Sequence, residues 1–241
     1  MTMKRILLLP LLMGVIVLLS ACMYPQDEKE SKQRPYEDQL ETVQKAVDTY
    51  QTQSNGLLPI KTRDMDTDQY IKYPIDFTKI VPSLTEKIPS NAYEQGGIYQ
   101  YVLMDVEDNP TVKLVDLRVA ERIRELILRK TVNGSLPFKD AVQEGASVYE
   151  VDFEKMGLKK PLTVESPYSD AHLPLVVGGD GNFYIDYSID LNRILETDKP
   201  SVVPGEDIRF LLADKYPILP AYSLPYTVND KNEPIFMKSS N

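Results

Sequence analysis

The heptapeptide Asn55-Gly56-Leu57-Leu58-Pro59-Ile60-Lys61 returns as Asn133-Gly134-Ser135-Leu136-Pro137-Phe138-Lys139, identical at five of seven positions. Each copy is a helix stop: glycine accepts the left-handed conformation that ends a helix, and the proline three residues later blocks resumption. The stretch before each copy predicts the helix it ends. Leu40, Val43, Ala46, Val47 and Tyr50 recur at intervals of three and four, as do Leu117, Ala120, Ile123, Leu126 and Ile127, with Asp116 as N-cap. The register continues downstream. Tyr73, Ile75, Asp76, Phe77 and Lys79 match Tyr149, Val151, Asp152, Phe153 and Lys155, and Pro89 matches Pro167. A glycine turn then opens a strand in each copy, Gly96-Gly97 before Ile98 to Met104 and Gly178-Gly179-Asp180-Gly181 before Phe183 to Tyr187.

This order of elements, met twice, reads as an internal duplication. The expected class is α+β: two tandem, similar helix-plus-antiparallel-strand units, residues 36–115 and 116–190, followed by a proline-rich extension, 191–241. Strands are expected at Val102 to Asp108 and Thr111 to Val115, near the junction, and short helices at Ile189 to Leu195 and Glu206 to Ala213. The tail, with Pro217, Pro220, Pro225 and Pro234, is expected to pack on the repeats, closing a groove or covering an edge strand.

Ahead of the first unit, Lys4 and Arg5 precede an apolar run from Ile6 to Leu19, then Ser20, Ala21 and Cys22, the only cysteine. This is a secretory signal plan. The run is 14 residues and carries Pro10 and Gly14, short of the roughly 20 that span a bilayer. Leu19-Ser20-Ala21-Cys22 also resembles the lipobox of bacterial lipoproteins. That resemblance implies cleavage after residue 21 and a diacylglyceryl group on Cys22, holding the protein on the outer face of the cell membrane. More than one acyl chain, palmitate among them, gives durable anchoring at about 0.8 kcal/mol per buried methylene. Residues 22–35, polar and charged from Gln26 to Pro35, read as a flexible tether.

Loss of Lys4 and Arg5 with the signal leaves 25 basic against 36 acidic side chains. Such a balance argues against nucleic acid, whose binding relies on clustered Lys and Arg. It also disfavours adhesion of the folded part to anionic lipid, which leaves attachment to the acyl chains.

The chemical inventory is sparse. One histidine, His172, makes no zinc set, and acylation of Cys22 leaves no thiol nucleophile. His172 reads as a surface or strand-edge residue. Gly178-Gly179-Asp180-Gly181 reads as a hairpin turn, since no helix follows it as a nucleotide loop requires. Asp64, Asp66 and Asp68 alternate like the start of a calcium loop, yet Gln69 stands where glycine would bend it and Ile75 where the closing glutamate belongs. Asp180, Asn182 and Asp186 form a second loose set, and both sets read as solvated loop residues. The tyrosines, including Tyr99, Tyr101, Tyr184, Tyr187, Tyr216, Tyr222 and Tyr226, suit recognition but suit half-buried strands better. No catalytic residue, metal or cofactor is assigned.

From Cys22-Met23-Tyr24-Pro25 through Leu57 to Asp66 and on to the strands around Tyr184, the chain resembles an uncharacterised group of lipoproteins from Bacillus-type Gram-positive bacteria. The resemblance implies an extracytoplasmic lipoprotein and carries no catalytic residue across. A weaker likeness is to pseudopilins, whose first helix also ends in a tyrosine and an Asn/Asp-Gly-x-x-Pro turn. This chain lacks their long unprocessed apolar helix. The expected function is a membrane-anchored binding or assembly module whose junction between units takes an envelope protein or a small ligand. An envelope hydrolase using two carboxylates on cell-wall polysaccharide is the alternative, and a structural surface spacer a third.

Overall fold

The computed structural model describes residues 27–134 and 137–238, with side chains from Glu37 onward. Cys22, its box, the signal segment, and Ser135 and Leu136 of the second turn lie outside the described residues. The chain divides into two compact units, residues 1–42 and 43–241. The described part of the first is the beginning of helix α1 (Asp27–Gln53). Over the described part of the segment expected to be a tether, the backbone is helical from Asp27 through Pro35, where Glu, Lys, Gln and Arg contribute high helix propensity.

Within the larger unit, α1 presents Val43, Ala46 and Val47 to the core. It ends as the sequence requires, with Asn55 at φ 55° and Gly56 at φ 88° and the Gly56 N–H donating to the Gln51 carbonyl at 2.9 Å. The chain then crosses three short 3-10 turns before the hairpin β1 (Tyr99–Met104) and β2 (Thr111–Asp116), antiparallel with Tyr99 opposite Asp116. The strand expected to reach Asp108 stops at Met104. Asp105, at φ 50°, turns the chain there, and its carbonyl accepts from the Asp108 and Asn109 N–H groups.

Helix α2 (Leu117–Asn133) follows without a linker, capped by the Asp116 carboxylate at one end and by Gly134 at φ 68° at the other. Its buried stripe is Val119, Ile123 and Leu126, so the expected face is rotated: Ile127, placed inside by spacing, is 43% exposed. The second sheet comprises β3 (Phe138–Ala141), β4 (Val148–Val151), β5 (Thr163–Glu165), β6 (His172–Gly178) and β7 (Phe183–Ile185). Strand β6 is central, pairing antiparallel with β5 through its first half and with β4 and β7 through its second. One pairing pattern occurs in both segments. Ile60 bridges Ile75 and Pro74 bridges Val102, while Phe138 bridges Val151 and Glu150 bridges Val176. The Asp76 N–H donates to the Pro59 carbonyl at 2.7 Å, and the Asp152 N–H to that of Pro137 at 2.8 Å.

The remainder carries α3 (Ser188–Thr197), which straddles the boundary expected at 190, then α4 (Phe210–Lys215) and the hairpin β8 (Tyr226–Val228) and β9 (Pro234–Phe236). The helix expected from Glu206 starts only at Phe210; just before it the Arg209 N–H donates to the Asp207 carboxylate at 3.1 Å. Ile218 bridges Leu114 of β2 in parallel, with Leu114 N–H donating to the Pro217 carbonyl at 2.9 Å and Leu219 N–H to that of Leu114 at 2.8 Å. The extension also feeds two apolar clusters. Ala213, Leu219 and Ala221 join Tyr70, Val102 and Val115, whereas Leu212, Tyr226 and Phe236 join the core beneath α2 and β6.

Candidate binding surface at the junction

Asp116 is the last residue of β2 and the cap of α2, so it stands where the two segments meet. Its carboxylate accepts from the Arg118 N–H at 3.0 Å and, in a forked pair, from Arg118 Nε and Nη2, the latter at 2.6 Å. The pair is one-sided in exposure: Asp116 is buried while the Arg118 side chain is nearly half exposed. The hydrogen bond to Asp116 holds the guanidinium pKa above its ordinary value despite partial burial. Arg118 thus presents a rigid edge rather than a mobile charge, and its Nη1 lies 3.9 Å from Glu165 of β5.

Arg118, Arg122, Thr163, Val164, Glu165 and His172 line an open groove of about 380 Å³. The register of β5 against β6 sets Glu165 opposite His172, and α2 places Arg122 one turn beyond Arg118. Arg122 is more than half exposed and its ion pair with Glu125 is long, 3.5 Å. A guanidinium so loosely held can exchange that partner for an incoming carboxylate or phosphate, which it matches in a planar fork. Glu165, three-quarters exposed, and Thr163 supply acceptor and hydroxyl on the opposite wall. The arrangement is one for holding a polar or anionic group. His172, read as a strand-edge residue, is the exposed first residue of β6 and stands on the groove rim.

A second concavity, about 280 Å³, lies at the tip of the β1–β2 hairpin beside Tyr73, Leu103, Met104, Asp105, Glu107 and Asp108. The two acidic sets do not converge. Asp68 turns inward, accepting from the Tyr70 N–H at 2.9 Å and pairing with Arg209 at 3.1 Å. Asp180 is the keystone of the β6–β7 turn, accepting from Asn182 and, at 2.5 Å, from the Tyr184 hydroxyl. Burial raises its carboxyl pKa, but these hydrogen bonds outweigh burial and hold it below the usual value. Asp186 accepts instead from the Tyr226 hydroxyl at 2.9 Å. Among the described residues, no group of three His, Cys, Asp or Glu could hold a metal. Of the tyrosines singled out by the sequence, Tyr99, Tyr101, Tyr187 and Tyr226 are buried core residues, while Tyr184, Tyr216 and Tyr222 are half-buried.

Sequence reasoning missed Arg209. It is buried, donates to both Asp207 and Asp68, gives Nη1 to the Ser223 carbonyl at 2.8 Å, and stacks over the Tyr70 ring at 4.9 Å. It also missed Asp190, buried on α3 and accepting from the Ser166 and Ser169 hydroxyls at 2.7 and 2.6 Å. Both are internal struts. No local pattern marks a charge that will be buried against a distant partner, as Arg209 is against Asp68 and Asp190 against Ser166 and Ser169.

Among the described residues no helix is long and apolar enough to cross a membrane. No curated protein and no solved structure matches the chain. Residues 36–116, from within α1 to the end of β2 at the junction, match the YphF family N-terminal domain, an uncharacterised family.

Proposed function

We propose that this protein is a lipid-anchored, extracytoplasmic binding or assembly module that grips an envelope protein or a small ligand through the junction groove. The observation that carries the reading is Arg122, an exposed, loosely paired guanidinium beside the fixed Arg118–Asp116 fork. Two further features favour binding over hydrolysis. The buried carboxylates Asp116, Asp186 and Asp190 are each engaged in hydrogen bonds within the fold, and the groove sets one carboxylate, Glu165, against two arginines. A polysaccharide hydrolase needs two carboxyl groups about 5 to 10 Å apart flanking its substrate.

The anchor rests on the Leu19-Ser20-Ala21-Cys22 box. The two-unit reading draws support from the shared pairing of Ile60 with Ile75 and Phe138 with Val151. The test is crosslinking in intact cells with tagged wild type, Arg122→Glu and Cys22→Ala, followed by mass spectrometry. A recurrent envelope protein or small adduct recovered with wild type and lost in Arg122→Glu supports the reading. Equal recovery with Arg122→Glu removes the groove from it, and hydrolysis of wall fragments by the purified protein would replace it.

A further inference from the structure

The far end of α2 differs in character from the rest of this acidic chain. Residues 124–139 and 152–160 carry seven basic against three acidic side chains, although the whole chain has a net charge of −9. These two stretches meet in space. Arg129 Nη1 donates to the Met156 carbonyl at 3.4 Å, Asn133 Nδ2 to the Lys155 carbonyl at 3.0 Å, and the Asp152 N–H to the Pro137 carbonyl. Two of the three acids are spoken for locally, Glu125 by Arg129 at 3.0 Å and Asp152 by Lys155 at 3.1 Å. Lys139, Lys159 and Lys160 are exposed.

The same end exposes apolar side chains that a solvated helix face does not need. Leu128 is 60% exposed and Val132, one turn on, 85%; Ile127 and Phe138 are each more than 40% exposed. Large apolar groups ringed by lysine and arginine are the make-up of a surface that seats in the headgroup layer of an anionic membrane, apolar residues inward and cations at the phosphates. The negative net charge is no obstacle, because attraction to a charged surface falls off within a Debye length, about 8 Å at physiological ionic strength. What counts is the charge on the face presented.

We infer that the C-terminal end of α2, with Phe138 and Lys139 at the start of β3 and the 152–160 segment, docks on an anionic phospholipid bilayer. Charge complementarity selects this occupant over a second copy of the chain, whose matching face would be equally basic. The inference rests on the lipid-anchored reading, since a surface contact of this size serves to orient a protein that is already held. It would turn the folded unit so that one end rests on the membrane.

The chain has no tryptophan, so Leu128→Trp introduces a single indole at a site exposed enough to accept it. Full-length acylated protein bearing Leu128→Trp is reconstituted in vesicles of phosphatidylglycerol mixed with phosphatidylcholine, or of phosphatidylcholine alone, each with and without brominated acyl chains. Val203→Trp, 55% exposed on the extension, is the comparison. The expected result is blue-shifted emission quenched by brominated lipid for Leu128→Trp on the anionic vesicles only. Adding Lys159→Gln and Lys160→Gln lowers the ratio of docked to undocked protein by roughly fivefold per charge removed. Circular dichroism checks that these variants fold. Protein that fails to float with the vesicles contradicts the anchor. Protein that floats with an unquenched indole at position 128, or quenching equal at 128 and 203, overturns the docking. A blue shift that appears without vesicles and grows with protein concentration overturns it in favour of self-association.

Discussion

Replacing Arg209 by methionine keeps the length of the side chain and removes every donor at its end. The side chain is 6% exposed and joins four groups: Asp207 at 2.8 Å, Asp68 at 3.1 Å, the Ser223 carbonyl at 2.8 Å, and the face of Tyr70. Asp68 precedes the first hairpin while Asp207 and Ser223 lie in the extension, so the loss unfastens one from the other. Breaking a buried charge pair costs about 3 to 5 kcal/mol, most of it from the partner left unpaired. Here the side chains of Asp207 and Asp68 retain 26% and 31% of their exposure, so both can rehydrate, and the low end applies, about 3 kcal/mol. For a folded unit of this size that is a fall in Tm of about 6 to 12 °C. Arg209→Lys keeps the charge but lacks the fork, and about half the loss is expected. Urea denaturation followed by circular dichroism measures all three proteins. A loss below about 1 kcal/mol for Arg209→Met, or a lysine variant no better than methionine, would refute the claim that this arginine fastens the extension.

Four other outcomes are expected. Gly97→Ala destabilises by about 1 to 3 kcal/mol, because a Cβ there would lie 2.1 Å from the Asn91 carbonyl carbon and oxygen; Gly134→Ala, where space is open but φ is +68°, costs about 1 kcal/mol, and thermal melts should rank the two in that order. Burial raises the pKa of Tyr168, Tyr187 and Tyr226, so their contribution is complete below the unfolded value near pH 10 and is lost as pH rises above it; phenolate absorbance should therefore climb together with unfolding, and a gradual climb in a folded protein would count against it. Tyr184 is pushed up to about 12, by burial first and by Asp180 second, and Asp180→Asn should lower it in an absorbance titration. The Asp180 carboxyl, held below its ordinary value, stabilises above the unfolded pKa near 4 and loses that contribution as pH falls through the folded value, so Asp180→Asn should flatten the acid limb of the stability profile.

Much of the fold is local, and that part is readable from residues. Asn-Gly-x-Leu-Pro ends both helices where it should, Asp116 caps α2, and the glycine turns open β1 and β7. The rotated face of α2 shows the limit of periodicity: Val119, Leu128 and Val132 extend the apolar pattern around the helix, and only the sheet beneath selects Val119, Ile123 and Leu126. Strand β3 has no signature in the sequence, because an edge strand with every residue exposed shows no alternation. The hairpin of β8 and β9 was legible in principle. Asn229 to Glu233 is turn-forming and separates Tyr-Thr-Val from Pro-Ile-Phe, and Asn229 Oδ1 accepts from the Lys231 and Glu233 N–H groups, but the prolines around it point equally to extended chain. The junction groove needed β5 beside the start of α2, a placement made by tertiary packing across some forty residues.

The functional account stands on Cys22 first, because both partner capture at an envelope surface and the docking of α2 presuppose the anchor. Labelling growing cells with a palmitate analogue, then measuring the mass of the N-terminal peptide of the purified mature protein, tests it most directly. The expected result is a peptide that begins at Cys22 and carries diacylglycerol, with label and membrane association both lost in Cys22→Ala. A mature protein that begins elsewhere, or one that starts at an unmodified Cys22, would contradict the account.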